Sequence, residues 1–278
     1  MTDAYRLGFL PGFREDSGYQ VENLPNVELP SGFLDNDFRD PDTERYLDRF
    51  NEIKPSVAVI GDAYTREQAG QMNEVVRDLR NDHEYKTFVV VPKCEQAFDV
   101  LDNDIVVGYA NGYSDIQAED LGLHNYRGRN VHILGSSPPE QYEAIQKLTQ
   151  PNLRNDSPAN IRGVDWNGAH KVAYLGEHWS REGWQPADHL SIRETVRESL
   201  KEVRDFWCEK DLWPETEPRD IFGSPYDEPD DPVYAISGQD IDLLEKLEAA
   251  HVKEYDGNTY AFESKTAQRF LEYRGGLF

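Results

Sequence analysis

Five short apolar runs alternate with helix-like segments along the chain. They begin at Ser56, Thr87, Asp104, Asn130 and Ile161, and each ends in a polar or glycine-rich turn. Near-continuous Val and Ile runs are typical of strands that are buried on both faces, and the helical segments between them favour parallel pairing. The pattern therefore predicts a parallel α/β fold.

Two weaker apolar runs precede these five, at residues 5–10 and 27–34. Together the runs give about seven strands, so we expect a parallel (β/α) barrel of the TIM type, complete or incomplete. Helices are predicted where apolar residues recur at helical spacing or where helix-start signals occur. The predicted helical segments are 43–53, 65–82, 95–101, 137–150, 170–179 and 190–207.

The alternation of strands and helices ends near residue 211. Residues 1–211 are therefore expected to form the barrel-like domain, and the Pro- and Asp-rich segment 212–232 a linker or an extended wrap. The rest, residues 233–278, predicts a small α+β appendage that resembles a minimal winged-helix arrangement. Its acidity favours a packing or dimerisation element, and with it a homodimer, over a DNA reader. The appendage is predicted as helix, turn, strand and helix, over 237–255, 256–258, 259–264 and 266–276.

Polar and glycine residues end several of the predicted strands. The carboxyl ends of parallel strands meet at one edge of a sheet, and chemistry collects there. We therefore expect these residues to form one site. The candidate set is Asp62, Lys93, Gly108, Asn111, Gly112, Gly135, Ser136, Ser137, Asp165 and Asn167.

The aspartates of this region each allow two interpretations. Asp165 stands at a predicted strand end, where a nucleophile or general base belongs, but it is equally placed to cap the next helix. Asp62 has the same two interpretations. Asp35 and Asp37 either add a third carboxylate to the site or lie in a solvated acidic turn. Two acids at strand ends favour the functional interpretation.

The glycine-containing segments 108–112 and 135–138 are expected to expose backbone N–H groups suited to an oxyanion, a phosphate or the carbonyl of a base. Neither segment fits a GxGxxG or GxxxxGK[ST] pattern, so dinucleotide and Walker-type sites are not indicated. The histidines show no HExxH spacing, and no serine lies in a GxSxG context. We therefore expect no metal and no cofactor.

The net charge of the chain indicates the salt environment in which the protein works. The chain has 278 residues and a formal net charge of −24, with 53 acidic and 29 basic residues. A diffuse acidic excess repels itself in dilute buffer, whereas at molar salt the Debye length falls to about 3 Å. A salt-accumulating, haloarchaeal-type cytoplasm is the leading interpretation, and an ordinary acidic protein is the alternative. Bulk charge argues against nucleic-acid binding, but a cluster of Arg127, Arg129 and Arg162 would suffice at high salt.

The chain carries no signal for membranes or disulfides. No segment approaches about 18 apolar residues, and the N-terminus lacks a basic stretch followed by an apolar one. We expect a soluble, cytoplasmic protein without membrane contact. Cys94 and Cys208 are far apart and have no CxxC partner, so structural thiols are expected.

Three segments, in order, resemble the tRNA-guanine transglycosylases and their relatives that insert 7-deazaguanines into DNA. Gly108-Tyr-Ala-Asn-Gly112 is similar to the family's Gly-Tyr-Ala-x-Gly-Gly stretch, and residues 131–141 are similar to the strand, Gly-x-Gly-Thr-Pro-Glu turn and helix that follow it. Gly163-Val-Asp-Trp-Asn167 falls where that family has its strand ending in the nucleophilic Asp. The similarity covers roughly residues 56–180. The whole chain also resembles a haloarchaeal and haloviral protein group.

The resemblance implies roles for four residues. Asp165 would be the nucleophile that attacks the anomeric carbon of ribose and displaces guanine. Asp62 would recognise the base edge, and Gly108 with Gly112 would line the base pocket.

The resemblance also places an acid–base Asp early in the chain, within an Asp-Ser-Gly-Gly-Phe motif. Asp35 or Asp37 would take that part, and Ser31-Gly-Phe33 is the echo of the motif. The base-contacting Gln of the family is absent, because Pro92 and Lys93 stand at that strand end. The family's zinc-binding Cys/His cluster is absent as well.

Together with the carboxylates at the strand ends, the resemblance implies a pentosyltransferase that exchanges guanine for a 7-deazaguanine in DNA or tRNA. Its partners would be the nucleic acid and a 7-deazapurine base. Such exchange needs one carboxylate to capture the sugar and another to move protons on the base. Two other classes stay open, namely a non-catalytic nucleic-acid- or nucleotide-binding protein on a degenerate barrel, and an assembly protein of a halophilic genetic element.

Overall fold

The computed structural model of the chain describes residues 2–16, 32–83, 86–112, 114–214 and 216, and the backbone of three strands within 234–262. The chain divides into two compact units. Residues 10–17 and 28–167 form the first, which we call the sheet unit; residues 1–9, 18–27 and 168–278 form the second. The predicted strand at 27–34 lies partly outside the described residues.

Within the described residues, seven parallel strands form one sheet in the sheet unit, and their order in the sheet is their order in the chain. The predicted parallel α/β fold is therefore confirmed, with the curled sheet of an incomplete barrel. The strands are β1 (Gly12–Arg14), β2 (Phe33–Asp35), β3 (Val57–Ala63), β4 (Thr87–Pro92), β5 (Val106–Ala110), β6 (Asn130–Leu134) and β7 (Asn160–Asp165).

Helices connect most of these strands, and other helices belong to the second unit. Short 3₁₀ helices at Glu95–Asp99, Ala118–Leu121 and Leu123–Asn125 replace full helices around β5. Among the described residues, no helix has the length and apolar character needed to cross a bilayer. The α-helices are α1 (Thr2–Arg6), α2 (Thr43–Ile53), α3 (Arg66–Asp82), α4 (Pro138–Thr149), α5 (Gly168–Ala173) and α6 (Ile192–Glu209).

Helix starts follow the signals in the sequence. The Asp42 side chain accepts a hydrogen bond of 3.0 Å from the Arg45 N–H at the start of α2. Thr65 and Gln68 form a capping box at the start of α3. Such caps satisfy backbone groups that the first helical turn leaves without partners. The helices predicted over 43–53 and 65–82 are confirmed.

The sheet curls so strongly that β2 and β6 face each other. Phe33 on β2 stacks on His132 on β6, with ring centroids 5.5 Å apart and an interplanar angle of 25°. In a flat sheet, strands four places apart would be separated by about 19 Å. Curvature alone brings the rings together, and it defines a concave inner face. That face carries an apolar cluster of Phe33, Val57, Val59, Val89, Val91, Val106, Ala110 and Leu134.

A β-bulge determines what the end of β3 presents to the inner face. Pairing with β4 shifts register between Val59 and Gly61, and Asp62 then stands opposite Val91. Residues opposite each other on neighbouring strands point to the same face. Val91 belongs to the inner cluster, so the bulge turns Asp62 inward, where strict alternation from Val59 would have turned it outward.

A second bulge does the same for β7. In its pairing with β6, Arg162 stands opposite no residue. Gly163 therefore stands opposite His132, and Asp165 stands opposite Leu134. Leu134 packs against the inner cluster. Asp165 therefore points inward as well, although an unbroken register would have placed it on the outer face.

The second unit contains α1, α5, α6 and an antiparallel hairpin of β8 (Glu177–Ser180) and β9 (Gly183–Pro186). The strand predicted over 5–10 is wrong over its first residues, because the chain there forms the end of α1. Asp3 and Arg6 lie one helical turn apart and form a buried ion pair of 3.3 Å, and Arg193 also donates to Asp3. This ion-pair network stabilises the helical conformation over the apolar alternation that indicated a strand.

The helix predicted over 170–179 is wrong in its second half. It ends at Ala173, Gly176 adopts a φ of 76°, and Glu177 begins β8. A left-handed glycine is a common way to end a helix. The helix predicted over 190–207 is confirmed by α6.

Three further strands are described by their backbone: β10 (Tyr234–Ser237), β11 (Val252–Tyr255) and β12 (Thr259–Phe262). β12 pairs antiparallel with both others, and Tyr255 stands opposite Thr259 as expected for a hairpin. The helix predicted over 237–255 is wrong at its end, where β11 lies. The strand predicted over 259–264 is confirmed by β12. The predicted turn and the last helix of the appendage lie outside the described residues.

Candidate active site

Four charged residues occupy the inner face at the carboxyl edge of the sheet: Asp35 ends β2, Asp62 lies near the end of β3, Lys93 follows β4, and Asp165 ends β7. The structure thus brings these sequence-predicted residues to one end of one face. Within this group, Lys93 pairs with Asp62, and Asp35 interacts with Asp165 and, more weakly, with Asp62.

Asp35 has the most strongly perturbed carboxyl group of the site. Its Oδ1 accepts a hydrogen bond of 3.0 Å from the Asn36 N–H. Burial, then the Asp165 carboxylate and, more weakly, Asp62 raise the pKa of Asp35 to about 8. A carboxyl group in this state holds its proton at neutral pH and can donate it.

Asp165 lies against a histidine that the sequence did not single out. The Asp165 Oδ1 is 3.3 Å from the His132 Nε2. His132 is 6% exposed, and its ring stacks on Phe33. The neighbouring strand makes room for the ring through Gly163, where a Cβ would come within 2.9 Å of the His132 Nδ1. The signal that the sequence offered was a polar residue within an apolar strand.

Asp62 and Lys93 form a buried ion pair. Their Oδ2 and Nζ atoms are 3.3 Å apart, and the Lys93 side chain is only 3% exposed. Burial raises the pKa of Asp62 even though Lys93 opposes that shift. The Lys93 Nζ also donates to the Ser114 hydroxyl and lies 3.8 Å from Asp115. Through these contacts Lys93 links the segment after β5 to the ends of β3 and β4.

Tyr64 and Asp115 extend this network toward solvent. The Tyr64 hydroxyl donates to the Asp115 Oδ1 at 3.3 Å. Partial burial and the nearby Asp62 and Asp115 carboxylates raise the pKa of Tyr64 to about 12. The phenol therefore stays neutral at physiological pH and acts as a hydrogen-bond donor.

Gln141 ties the ends of β6 and β7 together. It is fully buried, and its side-chain N–H groups donate to the backbone oxygens of Gly135 and Asp165 at 2.8 and 2.7 Å. The backbone of Asp165 is thereby held by α4 while its side chain stays on the inner face.

The turn after β5 is closed by internal hydrogen bonds. The Asn111 N–H donates to Leu134 O, and the Gly112 N–H donates to the Gln117 side chain, both at 3.0 Å. The expectation that the segment 108–112 exposes backbone N–H groups to a ligand is therefore wrong at Asn111 and Gly112. Gly135 is required here, because its φ is 76° and a Cβ would lie 2.7 Å from Asn111 O.

The remaining predicted residues lie in several places. Gly108 is inside β5 and not at its end, and a Cβ there would clash with Val91 and Leu134, each at 2.8 Å. It serves packing beneath the site. Ser136 adopts a φ of 63° in the turn after β6. Asn167 is exposed beyond β7.

Asp37 points to arginines. Its carboxylate lies 3.9 Å from both Arg14 and Arg45, and its Oδ1 accepts from the Arg39 N–H at 3.2 Å. Asp35, and not Asp37, is the early acid that interacts with Asp165.

Two of the three arginines expected to meet nucleic acid serve the fold. Arg127 donates to the backbone oxygens of Lys147, Gln150 and Asp156. Arg129 donates to three backbone oxygens around the 3₁₀ helix that follows β4. Both guanidinium groups cap carbonyls that helix ends leave without partners. Arg162 is exposed.

Two further observations concern metal binding and surface clefts. In the part of the chain that the structure describes, no group of three or more His, Cys, Asp or Glu side chains is placed to hold a metal ion. A surface cleft of about 450 Å³ lies along α2 but does not include the four charged residues of the inner face. The site is therefore identified by convergence of charged groups and not by cleft volume. The cleft is lined by Glu15, Asp42, Glu44, Arg45, Asp48, Arg49 and Glu52.

The chain belongs to the family described as "Family of unknown function (DUF6610)", whose model matches residues 4–208. The match spans most of the chain and includes every residue of the site. Comparison with curated proteins and with solved structures gave no match.

Proposed function

We propose that the protein is a base-exchanging transglycosylase that acts on guanine in nucleic acid, with Asp165 as nucleophile and Asp35 as proton donor. One observation carries the proposal: two carboxyl groups at the same end of the inner face have environments that separate their roles. Burial and Asp165 hold a proton on Asp35, while Asp165 faces an imidazole. Paired acids in contrasting environments are a common basis for acid and nucleophile assignments.

The proposed base exchange takes place in two steps. An electron pair of the Asp165 carboxylate forms a bond to the ribose C1′ as the C1′–N9 bond breaks, and the Asp35 proton neutralises the departing guanine. The ionised Asp35 then takes a proton from the ring nitrogen of the incoming 7-deazapurine. That nitrogen bonds to C1′, and the ester electron pair returns to Asp165. Carboxylates can carry both parts in glycosidic substitution.

Asp62 and Lys93 are the groups that we assign to base recognition. A carboxylate accepts hydrogen bonds from an amide and an amine, and an ammonium donates to a carbonyl oxygen. The two groups together complement the edge of a guanine-like base. We further propose that the sheet is an incomplete barrel of the TIM type, since its parallel strands follow chain order and its polar residues lie at their carboxyl ends.

Exchange can be measured directly. The protein is incubated in about 2 M KCl with tRNA or single-stranded DNA and a panel of 7-deazapurines, and nucleosides are analysed by mass spectrometry. We expect a 7-deazaguanosine product on one polymer. Asp35→Asn should lower the rate by about 100-fold or more, because it removes the proton donor. Asp99→Asn is the matched control and should keep full activity. It removes an exposed charge from the 3₁₀ helix after β4.

A nucleotide-binding protein without turnover is the second candidate, and the Asp62–Lys93 pair favours it. The pair offers a base both an acceptor and a donor, and neither group needs a reaction at Asp165 in order to bind it. This candidate predicts saturable binding of guanine nucleotides to the unmodified protein and no product on either polymer. Product formation would exclude it.

A further inference from the structure

His132 is a buried histidine with an incomplete set of hydrogen bonds. Its Nε2 and the Asp165 Oδ1 are both buried, and neither has a well-aligned hydrogen-bond partner among the described residues. The two atoms are 3.3 Å apart. Hydrogen bonds of catalytic groups are often long before substrate binds and tighten afterwards.

The two oxygens of Asp165 are in different surroundings. Oδ1 is buried against the imidazole, yet the side chain as a whole is 32% exposed. The exposed surface therefore belongs to the rest of the side chain, which leaves Oδ2 as the carboxylate oxygen that a substrate can reach. An imidazole beside one oxygen, with the other oxygen left to react, is the arrangement that a directed nucleophile needs.

We propose that His132 is a positioning residue for Asp165, whose Nε2–H holds Oδ1 and directs Oδ2 to the sugar. The claim about the role in exchange rests on the proposed function; the claim about the hydrogen bond does not. Phe33 stacks on one side of the ring, and Gly163 permits its approach from the neighbouring strand. These two contacts hold the ring with its Nε2 beside the Asp165 carboxylate.

The hydrogen bond acts unequally on the two steps of exchange. When the ester forms, Asp165 loses its negative charge and Oδ1 becomes a carbonyl oxygen. When the C1′–Oδ2 bond breaks, the electron pair returns and the carboxylate is restored. A donor stabilises the carboxylate more than the ester, so His132 should favour release of the sugar to the incoming base. A histidine that only filled space would not change this partition.

The first test does not require activity. Ring nitrogens of ¹⁵N-histidine-labelled protein are observed by NMR, and the His132 signals are identified by their loss in His132→Gln. We expect the Nε2 resonance to move in Asp165→Asn and in Gly163→Ala, whose methyl group would displace the ring. Gly70→Ala is the matched control, since a Cβ there meets nothing within 4 Å. Unchanged ring nitrogens in both Asp165→Asn and Gly163→Ala would overturn the hydrogen bond.

The second test measures the partition. A protein–oligonucleotide ester is formed on guanine-containing tRNA or single-stranded DNA, and its decay is followed on a denaturing gel after adding labelled guanine. His132→Phe and Gly163→Ala should accumulate the ester and slow its decay by about 10- to 100-fold. His132→Gln retains a donor and should stay within a few-fold of the unmodified protein.

The outcomes separate the two claims. Decay at the normal rate in His132→Phe and in Gly163→Ala would refute the positioning role while leaving the proposed function intact. No ester on either polymer with the unmodified protein would refute the proposed function and the role of His132 in it. The NMR result would still decide whether His132 holds Asp165.

Discussion

Asp35 and Asp165 end strands that stand five places apart in the sheet, and yet the Asp165 carboxylate helps burial to raise the pKa of Asp35. In a flat sheet these strands would be about 24 Å apart, beyond the distance at which exposed charges interact at ordinary salt. The curl that stacks Phe33 on His132 also brings the acids together. The electrostatic state of the site is therefore a product of the barrel-like curvature.

The raised pKa of Asp35 predicts a pH-dependent stability difference. Below about pH 4 the carboxyl group is protonated in both the folded and the unfolded chain, and folding loses nothing. Between pH 4 and about 8 only the unfolded chain ionises, so the native protein loses stability as pH rises. Asp35→Asn has no carboxyl group at this position, so its stability does not fall in this way. Its stability advantage should grow with pH by up to about 1.4 kcal/mol per unit and level off above pH 8.

Urea unfolding of both proteins from pH 4 to pH 9 at fixed high salt measures this difference. Asp99→Asn serves as the control, since its exposed carboxylate should give a nearly constant difference. A constant difference for Asp35→Asn would show that Asp35 ionises normally in the folded state.

The same proton predicts the alkaline limit of base exchange. Asp35 donates only while it is protonated, so the rate of the first step should fall about tenfold per pH unit above pH 8. Measuring ester formation from pH 6 to pH 10 gives the midpoint. A rate that stays level to pH 10 would exclude Asp35 as the donor.

Gln141→Leu should destabilise the protein by about 1–3 kcal/mol, because it leaves two partly buried carbonyl groups without this donor. It should also lower exchange, since the backbone of Asp165 loses its support from α4. Gln146→Leu, on the same helix but without a side-chain hydrogen bond to a strand end, should change stability by less than about 0.5 kcal/mol. Equal effects of the two variants in denaturant unfolding would contradict the role assigned to Gln141.

The net charge of −24 predicts that stability depends on salt. Self-repulsion is screened within a few ångströms at molar salt, so the melting temperature should rise by many degrees between about 0.1 and 2 M KCl. Calorimetry at several KCl concentrations tests this expectation. A melting temperature that is equal or higher in dilute buffer would contradict adaptation to salt.

The sequence predicted the parallel sheet well, because β3 to β6 are mostly buried strands whose composition decides their state locally. It predicted poorly where a distant partner decides. Residues 2–6 are helical, and Asp3 accepts a hydrogen bond from Arg193, which lies 190 residues later in the chain. Local alternation of apolar residues does not contain that information.

The sequence indicated the charged residues at the strand ends but not the geometry that brings them together. Strand ends indicated Asp62 and Asp165, but the face to which each points depends on the two bulges. A bulge is a relation between two strands, and no single segment reveals it. His132 was missed for the same reason, since its significance comes from Phe33 and Gly163 on other strands.

The most direct test of the central claim is to locate the covalent bond. Guanine-containing tRNA and single-stranded DNA are incubated with the unmodified protein and with Asp165→Asn, and any protein–nucleic acid ester is digested and mapped by mass spectrometry. We expect a sugar ester on Asp165 in the unmodified protein. In the variant we expect no ester and exchange reduced by several orders of magnitude, with folding retained. Near-full exchange by Asp165→Asn, or an ester on another residue, would contradict the account.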